Sequence, residues 1–146
     1  MKNSLVNTVI LHGLLFSTTF WAFISPTRAE PLSVITANGN VVSSLTREEV
    51  ADLFLGKRKI SIDGHALIPL DVSDDKLRDS FYQAVADMSA VRVSAYWARI
   101  VFSAQGKPPR KLPLDEVKFF LQSQPGTVTY APDAKHDGFK ILLSLP

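Results

Sequence analysis

Hydrophobic positions along residues 32–145 follow two different periods, and each period predicts one kind of element. Four short apolar runs rich in β-branched residues predict strands, at 32–37, 66–72, 127–132 and 139–145. Apolar residues spaced three or four apart predict helices from Thr46 to Gly56, over 77–88, from Ser89 to Ala104, and over 114–124. This alternation predicts an α/β sandwich in which a mostly parallel sheet of three to five strands is flanked by helices.

Local signals mark several boundaries of these elements. Thr46 and Glu49 have the T-x-x-E spacing of a capping box, and Gly56 is typical of a helix end. Ser89 is a candidate cap for the third helix. The segment "GKPPRK" (106–111) cannot continue that helix, because its two prolines remove donors and favour an extended path.

The first 29 residues are predicted to be a secretory signal peptide and not part of the fold. They contain Lys2, a long apolar stretch, and a small-residue pattern that places cleavage after Ala29. An uncleaved membrane anchor is the alternative, since 6–24 is just long enough to span; its polar residues favour cleavage. We therefore expect a single domain over residues 30–146, located in the periplasm, with no stable membrane anchor after cleavage.

Charge and composition exclude several classes of function. The 16 Lys and Arg residues include Lys2 and Arg28, so residues 30–146 carry as many basic as acidic side chains. No basic excess remains for a nucleic-acid binder. Cysteine is absent, which excludes thiol chemistry and a lipid-anchored cysteine. No catalytic motif occurs. We expect no enzymatic activity, no cofactor and no metal.

Four stretches together resemble one known family. The sequence "LTREEVADLFLGKRKISIDGHALIPLD" is followed by "LRDSFYQAV", "AYWARIVFSAQGKPP" and "PGTVTYAP". In this order they resemble small phosphate-type substrate-binding proteins of ABC transporters. The resemblance implies a type 2 periplasmic-binding-protein fold. The resemblance also implies binding of phosphate or another small oxyanion. Residues 30–146 are long enough for only one lobe of that fold, so we expect no hinged cleft between two lobes.

The candidate ligand residues lie at two predicted helix starts. Ser73 begins the turn "SDDK", at the position of the Ser-Gly-Thr phosphate turn of the family. Ser43 and Ser44 precede the first helix, and Arg78 is near enough in sequence to supply positive charge. The alternative is that Ser73 only caps its own helix, while the two aspartates that follow complement the helix dipole.

A second function is also open, that of a ligand-free periplasmic interaction or accessory module. In this case Lys107, Arg110 and Lys111 form a rigid basic loop that binds an acidic surface of a cell-envelope protein. The same residues are equally typical of a solvated connection.

Overall fold

The computed structural model describes residues 30–135 and 138–146, so the predicted signal peptide lies outside the described residues. A five-stranded sheet has the order β5-β4-β6-β1-β7. The strands are β1 (Leu32–Thr36), β4 (Ile68–Val72), β5 (Arg110–Leu112), β6 (Thr127–Pro132) and β7 (Lys140–Leu145), and β2 (Ser61–Ile62) and β3 (His65–Ala66) form a separate small hairpin. The helices are α1 (Arg47–Phe54), α2 (Asp75–Ala86), α3 (Ala90–Phe102) and α4 (Leu114–Ser123), and Asp133–Lys135 form one 3₁₀ turn.

Four of the five strands in the sheet run in the same direction. β4 lies between β5 and β6 and is parallel to both, whereas β1 is antiparallel to its neighbours β6 and β7. The prediction of a mostly parallel sheet of three to five strands flanked by helices is confirmed.

The helices cover both faces of the sheet unequally. The larger core cluster joins the sheet to α1, α2 and α3 and includes Phe54, Phe81 and Tyr130. On the other face α4 packs through Val117 and Leu121. Every residue of β1 is buried, as expected for a strand covered on both faces.

The helix starts agree with the sequence except at α2. Thr46 and Glu49 form the predicted capping box, and Ser89 caps α3 by accepting from the Arg92 N–H. At α2 the predicted cap, Ser73, is wrong. The cap is Asp74, whose carboxylate accepts from the Leu77 N–H at 2.9 Å, and Asn, Asp and Ser are about equally good at this task.

The segment "GKPPRK" is not a loop throughout. Its last two residues, Arg110 and Lys111, begin the edge strand β5, which pairs with Leu70 and Asp71 of β4. This strand was not predicted, because three residues with only Leu112 buried give no hydrophobic period to recognise.

Among the residues that the structure describes, no helix is long and apolar enough to cross a membrane.

Candidate functional site

The strands β4, β5 and β6 end around one concave site, which we call the carboxyl-end crevice. Its volume is about 490 Å³. Its lining consists of Glu30, Leu32, Ser73, Asp74, Lys76, Leu77, Ser80, Pro113, Leu114, Pro132 and Lys135. In open α/β sheets, ligands bind outside the carboxyl ends of parallel strands, so this crevice is the first candidate for a binding site.

The start of α2 forms one side of the crevice. Ser73 follows β4 directly and is exposed, and Lys76 lies in the first turn of the helix. The Asp74 carboxylate caps the helix and therefore already occupies the Leu77 N–H. The remaining first-turn donors and the Lys76 ammonium favour an anion here, whereas the Asp74 charge opposes one.

The start of α4 forms a second side. Its cap position is held by Pro113, which makes no capping hydrogen bond through its side chain. The first N–H groups of this helix therefore have no side-chain acceptor at the cap, although Asp115 and Glu116 partly complement the dipole. Two helix starts thus meet at one crevice.

A buried polar network lies just behind the crevice, at the end of β4. The Asp71 carboxylate accepts from Arg78 Nε at 2.9 Å, from the Tyr82 hydroxyl at 3.2 Å and from the Tyr130 hydroxyl. It also accepts from the Val72 N–H at 3.0 Å. Asp71 and Arg78 are 2% and 4% exposed, so this pair is a buried connection between β4 and α2, and the Tyr130 hydroxyl joins β6 to it.

Burial changes the ionisation of this network. Burial and the nearby Asp71 charge both raise the pKa of Tyr82 and of Tyr130 far above that of a free tyrosine. Burial alone would lower the pKa of Arg78, but the hydrogen bond and charge of Asp71 outweigh it and raise that pKa. At neutral pH the two tyrosines of the network are therefore neutral phenols, and Arg78 carries its positive charge.

The predicted ligand residues do not share one site. Of the four, Ser73 lines the carboxyl-end crevice, whereas Ser43 and Ser44 are exposed ahead of α1 and are not among its lining residues. Arg78 points inward. Its Nε donates to Asp71, and its Nη1 donates to the Ala90 carbonyl at 3.2 Å and to Ser94 Oγ at 3.4 Å. A role for Arg78 in ligand binding would require it to leave these partners.

The predicted partner residues are also divided. Lys107 and Arg110 line a large groove at the opposite end of the sheet, whereas Lys111 does not. Neighbouring residues of a strand point to opposite faces, which accounts for the difference between Arg110 and Lys111.

Sequence reasoning missed two features of the crevice, Lys135 and the start of α4. Lys135 comes three residues after the last residue of β6, and Pro113 comes directly after β5. Their positions after parallel strands would have indicated the site, but only once the strand order was known. Over residues 30–135 and 138–146, no group of three or more His, Asp or Glu side chains is placed to hold a metal ion.

Comparison with known proteins supports the fold alone. No family model and no curated protein matches the chain. Among solved structures, a Clostridium perfringens protein described as a phosphate ABC transporter substrate-binding protein, with bound phosphate, is similar at 16% identity and a TM-score of 0.57. The match covers 76% of this chain and 43% of that one, so the chain spans less than half the length of its neighbour. The chain therefore has a periplasmic-binding-protein-like α/β fold.

Proposed function

We propose that the chain is an exported solute-binding domain that binds phosphate or another small oxyanion in the carboxyl-end crevice, in connection with ABC transport. The observation that carries the proposal is the meeting of three parallel strand ends, two helix starts and two lysines at that crevice. The fold similarity to a protein solved with phosphate supports the same class of ligand. Export rests on the predicted signal peptide over residues 1–29.

The crevice offers an anion three kinds of group. Ser73 and Ser80 supply hydroxyls, the first turns of α2 and α4 supply N–H donors, and Lys76 and Lys135 supply positive charge. A small tetrahedral oxyanion uses all three, since each of its oxygens accepts hydrogen bonds and it carries at least one negative charge.

The charges lining the crevice also set the expected affinity. Within the described part of the chain, Glu30 and Asp74 balance Lys76 and Lys135, so these lining charges cancel. A carboxylate about 4 Å from a bound anion costs about 1 kcal/mol even in high dielectric. We therefore expect the Asp74 carboxylate to weaken anion binding about fivefold.

The test is a calorimetric titration of the full chain with phosphate, sulfate and molybdate. The decisive variant is Asp74→Asn, because Asn caps a helix as well as Asp while the negative charge is removed. We expect this variant to bind the preferred anion about fivefold more tightly. Lys76→Gln or Lys135→Gln should weaken binding, and Ser73→Ala should weaken it less.

Asp87→Asn is the matched control, because Asp87 lies at the other end of α2 and is 84% exposed in its side chain. This variant should bind as the wild type does. If neither the wild type nor Asp74→Asn shows heat of binding or a raised melting temperature at millimolar anion, the proposal is rejected.

A further inference from the structure

A second concavity, the amino-end groove, lies where β4 and β5 begin. It encloses about 990 Å³ and shares no lining residue with the carboxyl-end crevice. Its walls come from the end of α1 and the segment after it, the start of β4, the middle of α3, the segment 105–110 and the end of α4. It is therefore a separate feature at the other end of the parallel strands.

The floor of the groove is aromatic and firmly held. Trp97 is 6% exposed, and its ring packs edge-on against that of Tyr96 with ring centres 5.3 Å apart. The Tyr96 hydroxyl donates to the Leu55 carbonyl at 2.8 Å. Phe120 and Ile68 also line the groove, and Ile68 is 45% exposed. The groove thus presents apolar surface to solvent, which is typical of a site that binds a partner.

The charged residues that line the groove, among those the structure describes, are all basic. They are Arg58, Lys59, Lys107 and Arg110, with no aspartate or glutamate among them. The Arg110 guanidinium lies over the Phe120 ring, 5.1 Å from its centre, which holds the charge close to the apolar wall. This differs from the carboxyl-end crevice, where the lining charges cancel.

We propose that the amino-end groove binds an acidic peptide segment of another protein, anchored by an aromatic or large aliphatic side chain. The anchor packs against Trp97 and Phe120, and the flanking carboxylates pair with the basic residues. These four cations come from two separate segments, 58–59 and 107–110. A ligand with a single carboxylate would leave most of them unmatched, whereas an acidic peptide pairs with several.

This inference goes beyond oxyanion binding, and the two can fail independently because they use different residues. The sequence left an interaction module open as the alternative function, and the amino-end groove gives that alternative a defined surface. That surface includes Lys107 and Arg110, adds Arg58 and Lys59, and leaves out Lys111.

The experiment uses the fluorescence of Trp97 in the full chain carrying Trp21→Phe. The sequence contains two tryptophans, so Trp97 is then the only one, and it lies in the groove. The probe is a short synthetic peptide in which aspartates alternate with phenylalanines. We expect saturable quenching or a spectral shift on its addition. A peptide with lysine in place of aspartate, and one with serine in place of phenylalanine, should give neither.

Two neighbouring charge reversals provide the matched comparison. Arg110→Glu should weaken binding of the aspartate–phenylalanine peptide about tenfold or more, and Lys107→Glu should act in the same direction. Lys111→Glu makes the same charge change one residue further along β5 but outside the groove, so it should change the affinity much less. Melting temperatures would establish that all three variants are folded.

Three results would overturn the proposal. One is equal binding of the lysine peptide, which would show that the groove does not distinguish negative from positive peptides. Another is equal weakening by Arg110→Glu and Lys111→Glu, which would place the contact outside the groove. The third is binding of phenylacetate with the affinity and spectral change of the peptide, which would make the groove a site for small organic anions.

Discussion

At the scale of single residues, Asp71 is expected to contribute strongly to stability. It is the buried carboxylate that receives Arg78 Nε and the hydroxyls of Tyr82 and Tyr130. Asp71→Asn keeps the shape of the side chain but leaves Arg78 as an uncompensated buried charge. We expect it to lower the free energy of unfolding by about 3–5 kcal/mol, measured by urea denaturation.

The control for this change is Asp87→Asn, which removes the carboxylate of an exposed ion pair with Arg47. Exposed pairs contribute about 0–1 kcal/mol, and Asn tolerates the left-handed backbone of Asp87. Equal losses in the two variants would contradict a stabilising role for the buried network.

Single-residue roles were the hardest to predict from sequence. Arg78 is close in sequence to the turn "SDDK", and this closeness suggested a positive charge near the ligand. Its actual partner, Asp71, is seven residues away and on a strand. Spacing along a helix does not reveal a contact between α2 and β4, because that contact depends on how the two elements pack.

At the scale of elements, the turn after α1 depends on Gly56 for two separate reasons. Its φ of +66° is one that residues with a side chain rarely adopt, and an added Cβ would lie 2.7 Å from Cη2 of Trp97. Gly56→Ala should therefore cost the backbone strain of about 1 kcal/mol together with about 1–3 kcal/mol for overpacking. The measurement is chemical denaturation of the two proteins side by side.

Gly64→Ala separates these two terms. Gly64 has a similar φ of +79°, but an added Cβ there meets nothing within 4 Å. This variant should lose only the backbone share. If it loses as much as Gly56→Ala, the Trp97 ring yields at no cost and the close packing between α1 and α3 is not restrictive.

The elements themselves were largely predictable, since most carry strong local signals. Apolar residues recur along α1 to α4, and α1 has a complete capping box. β5 was missed because its position is set by pairing with β4 and not by its own residues. Consequently Arg110 and Lys111 were correctly predicted to be extended but wrongly described as part of a loop, whereas Lys107 does lie in the irregular segment before β5.

At the scale of the whole molecule, the fold class was predictable while both concave sites were not. The alternation of periods predicts layers, yet the order β5-β4-β6-β1-β7 decides which strand ends meet. That order brings Ser73, Pro113 and Lys135 to the carboxyl-end crevice. Lys107 and Arg110 are brought beside Trp97 in the same way, at the other end of the sheet. A site built from segments that are distant in sequence can therefore be predicted only once the strand order is known.

The buried tyrosines should make the whole molecule less stable as the pH rises in the alkaline range. Because burial and Asp71 raise the pKa of Tyr82 and Tyr130 in the folded chain, the unfolded chain loses these protons first. Below about pH 10, the pKa of a free tyrosine, both states hold them and stability is unaffected. Above it the unfolded state binds fewer protons, so the free energy of unfolding should fall by about 1.4 kcal/mol per pH unit for each tyrosine.

Urea denaturation from about pH 10 to 12 measures this slope. Tyr130→Phe should reduce the slope by about 1.4 kcal/mol per pH unit, however much the substitution itself lowers stability. Parallel curves for the two proteins would mean that Tyr130 ionises as readily in the folded chain as in the unfolded one.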